Sequence, residues 1–117
     1  MACILVIEDE LGTRVAFRQM LKQAGHEVLE APDGETGLAV CGQQPVGLVI
    51  TDILMPDKEG LETIRELRRD FPGVKIIAIS GSGYRYLHMA EEFGAHRTFS
   101  KPFHWEKVLQ AVKELLP

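Results

Sequence analysis

Short apolar runs alternate with segments of helical periodicity along the whole chain. The runs are too short for buried helices and are rich in Ile, Val and Leu, which is typical of buried strands. Since the connections are short, the alternation predicts a doubly wound α/β fold: five parallel strands, right-handed crossovers, and helices on both faces. The predicted strands are 3–7, 26–31, 47–51, 75–79 and 97–100, and the predicted helices are 11–24, 35–43, 59–70, 84–93 and 104–116.

Residues that start or stop helices support these boundaries. Gly25 and Gly94 follow helical segments and are predicted to end them, and Pro72-Gly73 is predicted to stop the third helix. Asp33 stands directly before the second helix, where its carboxylate could accept a hydrogen bond from an unpaired amide of the first turn.

The composition is that of one globular domain. With 117 residues, 45% hydrophobic and 26% charged, the chain can bury a core of its own, and we expect residues 1–117 to form a single domain. The net charge of −4 produces no field that would attract a nucleic-acid backbone or an anionic membrane, so we expect direct binding to neither.

The sequence also favours a cytoplasmic location. The start MACILVIEDE lacks the basic segment of a signal peptide, and no apolar run approaches the roughly 18 residues that a membrane span needs. Two cysteines, Cys3 and Cys41, form neither a disulfide framework nor a zinc set, and we expect both to be reduced packing residues.

Chemically active side chains follow four of the predicted strands. Glu8, Asp9 and Glu10 come after the first strand and Asp52 after the third, while Ser80 and Lys101 follow the fourth and fifth. In an open doubly wound sheet, ligands bind outside the carboxyl ends of the strands. We therefore expect these side chains to converge although they are far apart in sequence.

Carboxylates brought together in this way repel one another unless a cation lies between them. A divalent cation with oxygen ligands offsets the repulsion, and Mg²⁺ is suited because it keeps several waters and shares its octahedron with phosphate oxygens. An alternative is that Glu8, Asp9 and Glu10 form only a solvated cap for the first helix, where negative charge is favourable in any case.

Four motifs resemble those of response-regulator receiver domains, the phosphorylation modules of two-component signalling. They are VIEDE after the first strand, ITDILMP after the third, ISGSG after the fourth and SKPF after the fifth. Their order and spacing fit over essentially the whole chain. The resemblance implies a flavodoxin-like sheet with strand order 2-1-3-4-5, and a signalling switch that catalyses only its own phosphorylation and slow dephosphorylation.

The resemblance also implies roles for the acidic residues. Asp52 would be the nucleophile that takes a phosphoryl group from a histidine of a partner, which would be a histidine kinase or a histidine phosphotransfer protein. The Mg²⁺ ligands would come from Glu8, Asp9, Asp52 and the main-chain carbonyl of Leu54. An apolar Leu54 cannot orient a water by hydrogen bonding, so we expect self-dephosphorylation to take minutes or longer.

Further roles are implied for the later strand ends. Lys101 would pair with a phosphoryl oxygen, directed into the site by a cis peptide bond at Pro102, and the hydroxyl of Ser80 would donate to the phosphoryl group. Output is expected on the face formed by the fourth helix, the fifth strand and the fifth helix. An effector domain or a downstream protein would bind there.

One position departs from the family pattern. Receivers commonly carry Tyr or Phe three residues before the lysine, and this chain has Thr98 there. Phe99 is one residue later, so strand alternation places its ring on the opposite face, as a core residue. The usual aromatic switch is therefore in doubt, and Ser80, Thr98 and Tyr84 are the candidates for a different readout.

Three other functions fit the sequence less well. An aspartate-nucleophile phosphatase of the haloacid-dehalogenase type needs a second acid two residues after the nucleophile, where this chain has Leu54. A flavodoxin-like cofactor binder would suffer repulsion between three acids and a flavin phosphate. A degenerate receiver that acts only as an interaction module is favoured by Thr98 alone.

Overall fold

Five strands and five helices alternate in the structure, a computed structural model that describes residues 3–53, 58–81 and 84–116. All predicted boundaries agree with the observed ones to within one residue. The elements are β1 (Cys3–Ile7), α1 (Leu11–Gln23), β2 (Glu27–Ala31), α2 (Gly34–Gln43), β3 (Leu48–Asp52), α3 (Lys58–Asp70), β4 (Lys75–Ser80), α4 (Tyr84–Phe93), β5 (Arg97–Ser100) and α5 (Trp105–Leu115).

All strand pairs are parallel, and the order across the sheet is β2-β1-β3-β4-β5. The predicted fold class and strand order are confirmed. Ile7 of β1 is in register with Ala31 of β2 on one side and with Thr51 of β3 on the other. The carboxyl ends of the central strands are therefore level, and the residues that follow them share one edge.

The sheet is covered by two separate hydrophobic clusters, one on each face. One joins the sheet to α1 and α5, and includes Phe17, Leu21, Val108 and Val112. The other joins it to α2, α3 and α4, and includes Leu61, Ile64, Leu67, Leu87 and Ala90. The central strands are buried on both sides, which explains their unbroken apolar runs.

The cysteines contribute to this packing. Cys41 of α2 is buried, Cys3 at the start of β1 is half-buried, and both are free thiols. Burial raises the pKa of both thiols.

Among the described residues, none of the helices combines the length and the apolar character needed to cross a bilayer.

Local hydrogen bonds account for the boundaries. Asp33 caps α2, accepting from the amide of Thr36 at 2.7 Å, as predicted. β3 ends at Asp52, one residue later than predicted, because β4 continues the pairing: the amide of Ile53 donates to the carbonyl of Ile79 at 2.7 Å. Asp52 is thus held on a strand and not on a loose loop.

Gly94 links the end of α4 to α3. Its φ is +125°, and a Cβ built there would lie 2.3 Å from Cγ of Arg68, which runs beneath the turn. Gly25 after α1 has a φ of +95° with nothing within 4 Å, and Gly42 in α2 has open space and no positive φ. A side chain at Gly94 would therefore meet both backbone strain and a steric clash, one at Gly25 would meet strain alone, and one at Gly42 would meet neither.

Alanine substitutions at these glycines should therefore differ in sign and size. Gly94→Ala should lower the free energy of unfolding by about 2 kcal/mol or more, because strain and a clash combine. Gly25→Ala should cost about 1 kcal/mol from strain alone, and Gly42→Ala should add about 0.5–1 kcal/mol. Urea unfolding curves measure all three. An equal cost for Gly94→Ala and Gly25→Ala would contradict the contact with Arg68.

Candidate functional site

Three carboxylates meet where β1 and β3 end. One oxygen from each of Glu8, Asp9 and Asp52 can be chosen so that all lie within 4.8 Å of one another. Glu8 and Asp9 follow β1, Asp52 is the last residue of β3, and these strands are neighbours in the sheet. The structure therefore brings Asp52 next to two acids that lie more than forty positions before it in the sequence.

The acidic run after β1 divides into two parts. Glu10 turns toward α1 as its N-cap, accepting from the amides of Gly12 and Thr13 at 3.1 and 2.7 Å. Glu8 turns inward and is only 3% exposed. The solvated-cap interpretation is correct for Glu10 and wrong for Glu8, because capping needs a carboxylate just before the first turn.

The surroundings of Glu8 change the pKa of its carboxyl group strongly. Burial, together with a hydrogen bond to Asp52 and the charge of Asp52, raises the pKa of Glu8 to about 7, against its ordinary 4.5. The amide of Glu10 and the charge of Lys101 act in the opposite direction. Burial and the neighbouring carboxylate of Asp52 thus both favour the protonated form of Glu8.

Lys101 supplies the positive charge of the cluster, and it follows the edge strand β5. Its Nζ lies 2.8 Å from Oδ2 of Asp52 and 3.3 Å from Oε1 of Glu8. Burial alone would lower the pKa of Lys101, but the hydrogen bonds and charges of Asp52 and Glu8 outweigh burial and raise it. Lys101 is therefore a fixed positive charge, although it leaves the three carboxylates only partly compensated.

The backbone around Lys101 is held at several points. Its amide donates to the carbonyl of Ser80 at 2.9 Å, and the Lys101–Pro102 peptide bond is cis, the geometry that the resemblance implies. The next two aromatic residues anchor the segment on α1. Phe103 and Trp105 lie 5.5 and 4.8 Å from the ring of Phe17, and 5.1 Å from each other, between ring centroids.

Ser80 is the last residue of β4 and is fully buried. A Cβ added at the next residue, Gly81, would meet Lys101 only at 3.8 Å, an ordinary contact distance. Three expectations cannot be placed: Leu54 lies outside the described residues, as do residues 82–83 of the ISGSG segment, and the side chain of Tyr84 is outside the described part.

Thr98 and Phe99 of β5 lie on opposite faces of the sheet. Thr98 is half-buried and in register with Ala78, which belongs to the cluster under α2, α3 and α4. Phe99 packs against the cluster under α1 and α5. The prediction that the Phe99 ring faces the opposite side of the sheet is confirmed, and the ring is half-buried against that cluster. Phe99 does not take over the position of the usual switch aromatic.

The donor set fits Mg²⁺. The three carboxylate oxygens are hard ligands, and their spread of 4.8 Å is close to the roughly 4 Å that separates opposite ligands of octahedral Mg²⁺. A cavity of about 230 Å³, bounded by these acids, Asp33, Gly34 and Thr63, adjoins them. At about 30 Å³ per water it has room for the hydration that Mg²⁺ retains.

Comparison with known proteins assigns the family. The family described as "Response regulator receiver domain" matches residues 4–113, nearly the whole chain. The chain is a response regulator receiver domain. Receiver domains are signalling switches and not conventional enzymes, they bind Mg²⁺ at an acidic pocket, and they interact with histidine kinases or phosphotransfer proteins and with effector domains.

Individual relatives agree with this assignment. The receiver is 31% identical to a probable chemotaxis protein CheY of Rhizobium etli, over 94% of this chain and 88% of that protein. A CheY-like receiver domain protein of Methanospirillum hungatei superposes with a TM-score of 0.91 at 28% identity, over 99% and 94% of the two chains. TrrA of Thermotoga maritima, solved with Mg(2+)-BeF, superposes with a TM-score of 0.87 at 30% identity, over 98% and 99%.

Sequence patterns missed one contact beside the carboxylate cluster. Arg14 of α1 donates from Nη1 to the main-chain carbonyl of Glu8 at 2.8 Å. The available signal was its position: it is four residues after the Glu10 cap, so the first turn of α1 returns it toward the end of β1.

The raised pKa of Glu8 predicts how stability depends on pH in metal-free protein. An acid whose folded pKa lies above its unfolded value favours folding when protonated, and that stability is present below pH 4.5 and lost as the pH rises through about 7. We expect Glu8→Gln to remove about 1–3 kcal/mol of this loss. Urea unfolding at pH 4.5 to 8 in EDTA measures it.

Glu10→Gln is the matched control for this series. Hydrogen bonds from Thr13 and Gly12 lower the pKa of Glu10, so its effect has the opposite sign and falls at lower pH. The loss of stability between pH 4.5 and 7 should persist in Glu10→Gln. An identical slope in wild type and Glu8→Gln would contradict the buried, proton-sharing Glu8.

Proposed function

We propose that this receiver is a phosphoryl-accepting switch whose acceptor is Asp52. The observation that carries the proposal is the position of this carboxylate: it lies within 4.8 Å of two other acids and 2.8 Å from the ammonium of Lys101. It is also held at the end of a central strand. A carboxylate placed in this way can receive a transferred group without moving the backbone.

In the proposed reaction, an oxygen of Asp52 attacks the phosphorus of a phosphohistidine on the partner. A phosphorus–oxygen bond forms as the phosphorus–nitrogen bond breaks, and the imidazole leaves with its electron pair and takes a proton from solvent. When bound, Mg²⁺ would offset the charge that accumulates on the phosphoryl oxygens. Glu8, Asp9, Asp52 and the main-chain carbonyl of Leu54 would hold it.

Lys101 and Ser80 would contact the product. The Lys101 ammonium, which now pairs with Asp52 and Glu8, would move to a phosphoryl oxygen and act as a point charge. The Ser80 hydroxyl would donate to another oxygen. The amide of Lys101 donates a hydrogen bond to the carbonyl of Ser80, so the ends of β4 and β5 are connected. Both contacts with the phosphoryl group would therefore act on these two strand ends together.

That coupling supports an output on the α4-β5-α5 face. The phosphoryl group would favour the active conformation if its contacts with Lys101 and Ser80 are stronger in that conformation. It can shift the equilibrium only by the difference in its interaction free energy between the two conformations. Thr98 is too small to act as the swinging ring of other receivers, so Ser80 and the start of α4 at Tyr84 would carry more of the change. The receiving surface would bind an effector domain or a downstream protein.

Other parts of the proposal rest on the family and the sequence. The donor would be a histidine kinase or a histidine phosphotransfer protein, with residues 1–117 acting as one domain in the cytoplasm. The Mg(2+)-BeF complex of TrrA supports an equivalent phosphoryl site here. Slow self-dephosphorylation, inferred from Leu54, stays a prediction. An unphosphorylated interaction module is less well supported, because Asp52, Lys101 and the acids are in contact.

Acetyl phosphate tests the acceptor directly. With Mg²⁺, wild type should gain one phosphoryl group in intact-mass spectra, and Asp52→Asn should gain none, because an amide is not a nucleophile for this transfer. EDTA should abolish the gain in wild type. Asp33→Asn is the matched control: Asp33 lines the same cavity but caps α2, and asparagine caps equally well.

The pattern of the two variants decides the result. Phosphorylation of wild type and Asp33→Asn but not of Asp52→Asn supports the assignment. Equal phosphorylation of Asp52→Asn would show that another residue accepts the group, and no phosphorylation of wild type would refute the switch.

A further inference from the structure

The guanidinium of Arg14 joins α1 to the ends of two strands. Its Nη1 donates to the main-chain carbonyl of Glu8 at 2.8 Å, and its Nε donates to Oε1 of Glu30 at 3.1 Å. The side chain is 18% exposed. A planar guanidinium can satisfy two acceptors in fixed directions, so it fixes the position of one relative to the other.

Both main-chain groups of Glu8 are held by this corner of the molecule. Its amide donates to the carbonyl of Ala31 at the end of β2, at 3.0 Å, and its carbonyl accepts from Arg14. The carbonyl belongs to the peptide that joins Glu8 to Asp9. The orientation of this peptide sets the directions in which the two side chains leave the backbone.

We propose that Arg14 is a positioning residue of the Mg²⁺ site, fixing the Glu8–Asp9 peptide so that both carboxylates face Asp52. The inference rests on the proposed function, since it concerns the metal site of that switch. In this role Arg14 would contact neither the metal nor the phosphoryl group. It acts through the backbone of two residues that would bind the metal.

Glu30 keeps the guanidinium in place and balances its charge. Oε1 of Glu30 accepts from Arg14, and Oε2 accepts from Arg18 at 2.8 Å. The hydrogen bond from Arg18, with that from Arg14, lowers the pKa of Glu30 despite its partial burial. Glu30 therefore remains ionised at neutral pH, and Arg14 is oriented by a partner outside the metal site.

Arg18 provides a matched control on the same helix. Arg14 and Arg18 are one turn apart, and both donate hydrogen bonds to Glu30. Arg14 differs in that its guanidinium also donates to the main-chain carbonyl of Glu8. A role confined to fastening α1 to β2 would make the two arginines alike. A role in the metal site would set Arg14 apart.

The test compares Arg14→Gln and Arg18→Gln by calorimetric titration with Mg²⁺ alone. Changes in the outer shell of a metal site typically weaken metal affinity by about 10-fold or more. We expect about a 10-fold higher Kd for Arg14→Gln and less than a twofold change for Arg18→Gln. In metal-free protein, amide NMR shifts of Asp9 and Glu10 should move in Arg14→Gln and stay in Arg18→Gln.

Arg14→Lys keeps the experiment decisive if Arg14→Gln folds poorly. Lysine retains the charge but has no planar fork for two acceptors, so its Kd should also rise severalfold. Equal Kd values for wild type and Arg14→Lys, or for Arg14→Gln and Arg18→Gln, would overturn the role of Arg14 alone. Failure of wild type to bind Mg²⁺ would overturn the metal site itself and this proposal with it.

Discussion

The contact of Lys101 with Asp52 and Glu8 is the interaction on which the site depends. Three carboxylates within 4.8 Å repel one another, and a single ammonium at 2.8 and 3.3 Å from two of them leaves an excess of negative charge. The fold sustains this arrangement because β1, β3 and β4 are fixed by cores on both faces. The uncompensated charge would favour a divalent cation between the carboxylates.

The same contact ties the site to the rest of the molecule. Lys101 belongs to a segment whose rings, Phe103 and Trp105, pack on Phe17 of α1, while its amide is bonded to Ser80 of β4. A change at the carboxylates would therefore alter the contacts of this segment with α1 and with β4. In the proposed switch, Thr98 on β5 leaves the face toward α4 without the usual ring, so the Ser80 strand end would carry more of the change.

The sequence was sufficient for the fold class and for which residues meet, because both follow from the alternation of strands and helices. The strand order came from the resemblance to receiver domains. Parallel strands of similar length put Glu8, Asp9 and Asp52 at one edge, whatever the details of packing. Sequence patterns could not show that Glu10 turns away to cap α1 while Glu8 turns inward, nor that Arg14 reaches the carbonyl of Glu8. Those outcomes depend on side-chain directions fixed by tertiary contacts, which no periodicity encodes.

The most direct test of the central claim locates the phosphoryl group itself. After treatment with acetyl phosphate and Mg²⁺, borohydride reduces an aspartyl phosphate to homoserine, and peptide mass spectrometry finds the altered residue. We expect homoserine at position 52 and at no other position, and none when EDTA replaces Mg²⁺. A reduced residue at position 8 or 9 in place of 52, or none under any condition, would contradict it.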